Sequence, residues 1–211
     1  KAAIDAGENE DLKALAANVH QEADIDFITE DLQDLIRSSV DGLNRVKGIV
    51  ESLRNFSRLD EAELKVASVK ECIESTLDIA APAAKNKLEI TCDLDGLSSV
   101  KCRPAELNQV FLNLIMNASQ AVEHSGRLEI IGRETEKALM LTFTDNGKGM
   151  DTATRDQIFN PFFTTKPVGE GTGLGLSIAY KIITDGHQGS ITVDSEVGKG
   201  TSFTISLPKN V

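Results

Sequence analysis

The sequence predicts an α+β fold: a two-layer sandwich of a mixed β-sheet covered by helices on one face, preceded by an α-helical, bundle-forming segment. Three observations carry this. Residues 30–58 place apolar side chains at alternating threes and fours, the period of a helix with a packing seam. Leu88, Ile90, Cys92 and Leu94 alternate with Glu89, Thr91 and Asp93, the period of two that a half-buried strand requires. Further strand patterns at 127–133, 138–144, 190–194 and 201–207 are interleaved with helical patterns at about 70–85, 105–123 and 173–185, which suits one sheet carrying its helices on a single side. The change in pattern divides the chain into residues 1–61 and 62–211.

In the first part, the stripe Leu32, Ile36, Leu43, Val46, Val50, Leu53 leaves an apolar surface that water disfavours by about 25 cal/mol per Å². Self-association through a helical bundle is the natural expectation. Packing against a helix of the same chain, marked by Leu12, Leu15 and Val19, is the alternative. In the second part a short strand at Val66–Val69 leads into the first helix. The alternation at 88–94 makes Cys92 a core residue. Pro104 stands where a helix start tolerates it, and Leu107, Val110, Phe111, Leu114, Ile115 and Ala118 then mark one apolar helical face.

Composition excludes several functions. The 211 residues carry a net charge of −11 and a pI near 4.8, so attraction to nucleic-acid phosphates or anionic lipid is not expected. Residues 1–34 hold ten acidic side chains against Lys1 and Lys13, which concentrates that charge at the start of the chain. Cys72, Cys92 and Cys102 are odd in number and form no CxxC pair, so neither a disulfide framework nor a zinc site is expected. No run approaches the roughly 18 apolar residues of a membrane span, and the acidic start is unlike a signal peptide. A cytoplasmic protein without membrane contact is expected, and the start at Lys1 suggests a longer parent.

Four segments carry candidate chemistry. Asn113 and Asn117 lie one turn apart on the helix at 105–123, in positions where Asn is unfavourable relative to Ala. Their oxygens are hard neutral ligands suited to Mg²⁺ bearing triphosphate oxygens. Alone, such a pair also fits the capping of a neighbouring loop. The run Thr144-Asp145-Asn146-Gly147-Lys148-Gly149-Met150 ends a strand with a carboxylate able to accept from an exocyclic amine, and Gly147 and Gly149 let backbone approach a flat ligand. An Asx turn closing the strand is the other reading. Gly169-Glu170-Gly171-Thr172-Gly173-Leu174-Gly175-Leu176 runs directly into a helix and offers backbone N–H groups for phosphate, in a spacing unlike a P-loop or a dinucleotide fingerprint. Phe159-Asn160-Pro161-Phe162-Phe163-Thr164-Thr165-Lys166 sets three phenylalanines beside a lysine able to reach a terminal phosphate.

In order, these segments resemble the boxes of the ATPase domain of sensor histidine kinases, a superfamily shared with gyrase-type topoisomerases, heat-shock chaperones and mismatch-repair ATPases. The match covers most of 62–208. Residues 113–118 resemble the N box, Asp145–Gly149 the first glycine box, Phe159–Phe163 the F box, Gly171–Gly175 the second glycine box, and Gly198–Thr201 the third. The resemblance implies that Asp145 holds the adenine amine, Asn117 ligates Mg²⁺, Asn113 and Lys166 approach the phosphates, and Thr201 supports the adenine pocket. It further implies nucleotide contacts at Gly147, Gly149, Gly171, Thr172, Gly173, Leu174 and Gly175, in part through a lid around 164–175. The implied reaction is transfer of the γ-phosphoryl group of ATP to a histidine, with ATP or ADP and Mg²⁺ bound, and with Gln109 orienting the imidazole.

Residues Val40–Asp60 are similar to the second helix of the dimerisation and phosphotransfer domain of such kinases, which implies a homodimer through the N-terminal helices and a response regulator as partner. The family's phosphoacceptor box has no match here. His20 is followed by Gln21-Glu22-Ala23 without the expected proline, while His124, ending the N-box helix, and His187, in a turn, are expected to be structural. The acceptor is therefore expected upstream of Lys1. The alternative function is a regulatory module that binds nucleotide or dimerises without phosphotransfer. An ATP-hydrolysing clamp of the topoisomerase or chaperone type is a second rival.

Overall fold

The structure, a computed structural model, describes residues 13, 27–40, 42–43, 63–84, 87–167 and 171–209. The chain divides into two compact units, Lys1–Lys47 and Gly48–Val211. In the first unit, residues 27–40, 42 and 43 are helical. Phe27, Ile28, Leu32, Leu35, Ile36, Val40 and Leu43 are all exposed on it. Three members of the expected seam are thus seen, with four further apolar neighbours. Val46, Val50 and Leu53, the segment Leu53–Asp60, the helix marked by Leu12, Leu15 and Val19, His20 and the boundary at residue 61 lie outside the described residues.

The second unit is built from β1 (Lys65–Ala67), α1 (Val69–Ala84), β2 (Leu88–Asp93), β3 (Val100–Cys102), α2 (Pro104–Ala121), β4 (Gly126–Glu134), β5 (Ala138–Asp145), α3 (Thr152–Arg155), α4 (Gly175–Lys181), β6 (Ser190–Glu196) and β7 (Gly200–Pro208). Five strands form one mixed sheet in the order β2-β4-β5-β7-β6, parallel between β2 and β4 and antiparallel elsewhere. The parallel pair demands a crossover, and α2 supplies it. Strands β1 and β3 pair separately as a small antiparallel ribbon.

Strict alternation sorts each long strand onto two faces. On β5, Leu139, Leu141, Phe143 and Asp145 are buried while Ala138, Met140, Thr142 and Thr144 are half-buried. On β7, Phe203, Ile205 and Leu207 are buried between Ser202, Thr204 and Ser206. The apolar faces meet α2, which packs in turn on α1, and Phe111 of α2 stacks on Phe143 with ring centroids 5.6 Å apart. This is the predicted sandwich with helices on one face.

Four details differ from expectation. Cys92 is exposed on the edge strand β2, although Leu94, two residues on, is buried. Helix α2 stops at Ala121, where Val122 turns to extended backbone, so His124 lies beyond it and is exposed. The helix expected at 173–185 starts at Gly175 and widens into a π turn over Ile182–Gly186, which buries the consecutive Ile182 and Ile183 together. Strand β3 and helix α3 were not predicted. Helix α3 is too short for periodicity to show and is held by its cap, Asp151 Oδ1 accepting from the Thr154 N–H at 2.7 Å. His187 is structural: its Nε2 accepts from the Arg103 N–H at 3.0 Å and its Nδ1 donates to the Ile182 carbonyl at 2.8 Å. Burial, with the Arg103 charge adding to it, holds its pKa below the ordinary histidine value, which leaves this ring neutral and keeps Nε2 an acceptor.

Candidate functional site

Helix α2 is the platform of the site. Its apolar face is sunk in the core, whereas Gln109, Asn113 and Asn117 are half-buried and Gln120 is exposed, forming a polar stripe at helical spacing. Asn113 Nδ2 donates to the Gly175 carbonyl at 3.0 Å, joining the stripe to the start of α4. The loop-capping reading of Asn113 is therefore present, and the loop it caps is the glycine run itself. Among the described residues no hydrogen bond engages the side chains of Gln109 or Asn117. Gln120 accepts from Lys166 Nζ, bringing the lysine onto the same helix.

Asp145 sits at the end of β5, buried, with Thr201 directly across on β7 and Ser195 across from Thr201 on β6. Asp145 Oδ1 accepts from the Gly147 N–H at 2.8 Å, which is an Asx turn. Burial raises the carboxyl above its ordinary pKa, opposed by backbone N–H groups of Gly147 and Thr201 that favour the ionised form. The turn uses one oxygen, and the carboxylate keeps further acceptor capacity. An open groove of about 350 Å³ borders the rung; Asp145, Ser195 and Thr201 line it together with Thr144, Asp194 and Ser202 of the other strand face, whereas Gln109, Asn113, Asn117 and Lys166 are not among its described lining residues.

The glycines of the first box make a close approach, but to protein. A Cβ at Gly147 would stand 2.6 Å from Ala121 Cβ of α2, and one at Gly149, where φ is +64°, would stand 2.0 Å from the Glu196 carbonyl oxygen. The loop is pinned to the helix where the Lys148 N–H donates to the Ala121 carbonyl at 3.0 Å, and to the β6–β7 turn where the Gly198 N–H donates to the Lys148 carbonyl at 2.8 Å. The first and third glycine boxes are one interlocked junction.

In the second box, Gly173 has φ of +67° and its missing side chain leaves room for the Phe162 backbone, which itself has φ of +66°. Such a value is uncommon outside glycine and strained for an aromatic residue. Phe159 packs inward against Tyr180 and Phe203 at centroid distances of 5.2 and 6.5 Å, so the phenylalanine cluster serves partly as a core plug. A Cβ at Gly171 would meet Thr164 Oγ1 at 2.6 Å. Thr172 Oγ1 accepts from the Leu174 N–H at 3.4 Å, and Leu174 is buried at the start of α4. Helix α2 thus touches two of the glycine boxes, through Asn113 and Ala121, and Lys166 through Gln120.

The donor set suits Mg²⁺ accompanied by phosphate. Among the described residues no cluster of three His, Cys, Asp or Glu could hold a metal by itself. The half-buried Asn117 amide has a hard oxygen with no hydrogen bond among the described residues, which is what such a shared ion requires. Two contributors escaped the sequence reading. Gln120 is three residues beyond Asn117 on the stripe, a spacing that pointed to it. Ser195 puts a hydroxyl on the inward face of β6 in line with Ile191 and Val193, and that polar break in an apolar alternation was its signal.

A family model described as "Histidine kinase-, DNA gyrase B-, and HSP90-like ATPase" matches residues 102–211. Among curated proteins, the sensor histidine kinase ZraS of Escherichia coli (strain K12) is 33% identical over 203 residues, covering 95% of this chain and 42% of that protein. Sporulation kinase A of Bacillus subtilis (strain 168) is 45% identical over 104 residues, covering 49% of this chain and 17% of that protein. Among solved structures, the Acinetobacter baumannii histidine kinase AdeS superposes with a TM-score of 0.66 at 27% identity, covering 84% of this chain and 85% of that one. The nucleotide-free catalytic domain of histidine kinase ThkA gives 0.63 at 28% identity, covering 70% and 98%. The chain spans less than half the length of these curated relatives.

Proposed function

The chain belongs to the histidine kinase-, DNA gyrase B- and HSP90-like ATPase family and is the ATP-binding catalytic portion of a sensor histidine kinase, and from that premise we propose how its residues bind nucleotide and deliver a phosphoryl group. Asp145 accepts from the exocyclic amine of adenine, with Thr201 beside it. Asn113, Lys166 and the backbone of Gly171, Thr172, Gly173, Leu174 and Gly175 face the phosphates. The observation that supports this reading best is that α2 gathers Gly175, Lys166 and the Asp145 loop through Asn113, Gln120 and Ala121.

The reaction is attack by a neutral imidazole nitrogen on the γ-phosphorus. An N–P bond forms, the bond to the β,γ-bridging oxygen breaks, ADP leaves, and the second ring nitrogen gives up its proton to water. A neutral imidazole is already nucleophilic, so the protein's contribution is positioning and charge neutralisation. Gln109, on the same stripe and without a hydrogen-bond partner among the described residues, orients the ring. Asn117 would help hold Mg²⁺, whose chemistry is to offset triphosphate charge. The phosphorylated histidine then passes its phosphoryl group to a response regulator, placing the chain in two-component signalling within the cytoplasm. Among the described residues no helix is long and apolar enough to cross a membrane.

This chain is expected to bind ATP and ADP with magnesium, to leave itself unlabelled, and to label a supplied acceptor-histidine domain with acid-labile phosphate. Binding without any labelling of the supplied domain would instead favour a regulatory module. Asn117→Asp is expected to change the magnesium dependence of nucleotide binding by about tenfold, because a carboxylate repels bare triphosphate and binds the cation. An unaltered dependence would remove Asn117 as the metal ligand.

The exposed stripe on helical residues 27–43 supports a homodimer through the N-terminal helices. Sedimentation of the chain is expected to show a concentration-dependent dimer that Ile36→Glu reduces to monomer. A wild-type monomer at all concentrations would reject this.

A further inference from the structure

Ser195 is not among the nucleotide-contacting residues proposed above, yet its hydroxyl joins every part of the adenine end. It donates to the Gly200 carbonyl at 2.9 Å, accepts from the Met150 N–H at 2.9 Å, and lies 3.0 Å from Thr201 Oγ1. A serine hydroxyl has one proton and two lone pairs. With the proton on Gly200 and one lone pair on Met150, only the second lone pair remains for Thr201, so Thr201 must donate to Ser195. No other hydrogen bond engages the Thr201 side chain among the described residues. Its proton is therefore spent inward, and its oxygen presents lone pairs alone.

The same rung carries Asp145, directly across from Thr201. One of its oxygens takes the Gly147 N–H at 2.8 Å, and what remains of an ionised carboxylate is again only acceptor. Two acceptors thus stand side by side on neighbouring strands, both lining one open groove, with Ser195 between Thr201 and the glycine loops. An amino group with two N–H donors satisfies such a pair, whereas a carbonyl oxygen meets lone pairs on both sides.

Resting on the reading of Asp145 as the adenine contact, we propose that Ser195 is a positioning residue that fixes the direction of the Thr201 proton and so makes the pocket accept 6-aminopurine and reject 6-oxopurine nucleotides. Removing the Ser195 hydroxyl frees Thr201 to turn its proton toward a 6-oxo group. Selectivity would then be lost without any change at a residue touching the base.

The test is calorimetric titration of the full chain with ADP and with IDP at pH 8 in the presence of magnesium, since these differ only in the 6-substituent and in the proton that N1 of the 6-oxopurine carries. Wild type is expected to prefer ADP by roughly tenfold or more, the scale of one unpaired buried acceptor. Ser195→Ala is expected to bring the two affinities within about threefold of each other, and Ser195→Thr, which keeps the hydroxyl, to retain the preference. In a Thr201→Val background Ser195→Ala is expected to leave the ratio unchanged, because its route through Thr201 is gone. A merely structural serine would weaken both nucleotides equally and leave the wild-type ratio intact. That result, or a wild type that binds both alike, overturns the assignment to Ser195 while leaving nucleotide binding standing. A wild type that binds neither overturns the adenine reading with it.

Discussion

Asp145→Asn is expected to lower ADP and ATP affinity by roughly 10–100-fold, the value of a hydrogen bond to a charged acceptor, while leaving the nucleotide-free protein at least as stable as wild type. The two effects have opposite signs because the same burial produces both. Burial raises the carboxyl pKa in the folded state above its unfolded value. Between those two values the folded chain binds more protons than the unfolded one, so stability falls as pH rises through the window and the ionised side chain opposes folding at neutral pH. Asn removes that burden and can still accept from the Gly147 N–H. Melting curves from about pH 4 to 7 are expected to show wild type losing ground to the variant as pH rises. Calorimetry on wild type is expected to show affinity falling as pH drops and the carboxylate is protonated. Equal affinity in the two proteins would remove Asp145 from the adenine contact, and a variant that melts far below wild type at pH 7 would show its carboxylate to be structural.

Most of the sheet and both large helices were legible because one face of each is buried, and burial on one side writes a period into the chain. The apolar positions of α2 and the alternation along β5 and β7 are of this kind. The chemistry of the site was legible where a residue stood against its own surroundings: amides inside a helix, an acid closing an apolar strand, glycine at every second position. What could not be read were partners distant in sequence. Cys92 follows the inward alternation, but its exposure depends on its neighbours at the sheet edge, since Leu94 two residues on is buried. Gly147 and Gly149 were legible as places where a side chain would obstruct, yet only the fold shows that the obstructed neighbours are Ala121 and Glu196. Ser195 belongs to the same class, since its meaning depends on Met150 being folded onto it. Nothing in the pattern of 173–185 announced the π turn, because its five residues are too few to write a period of their own.

The interlocked glycine boxes make Gly200→Ala the substitution with the largest expected effect on folding. Gly200 has φ of +109°, and a Cβ there would stand 2.0 Å from the Asp145 carbonyl oxygen. Positive φ costs an alanine about 1–2 kcal/mol. The overlap is with backbone, which has no rotamer to yield, so the β5–β7 pairing at Asp145 and Thr201 must open, adding roughly 1–3 kcal/mol. For a chain of this length each kcal/mol lowers Tm by about 2–4 °C, so a fall of roughly 4–20 °C is expected. Gly198 supplies the control: its φ is +79° but nothing lies within 4 Å of its missing Cβ, so Gly198→Ala carries only the backbone penalty. Equal destabilisation of the two would show that the close approach between the boxes is not formed. The function should follow the geometry rather than the stability. At temperatures where both variants remain folded, Gly200→Ala displaces Asp145 and Thr201 and is expected to lose nucleotide affinity. Gly198→Ala, in the turn three residues from Thr201, is expected to keep it.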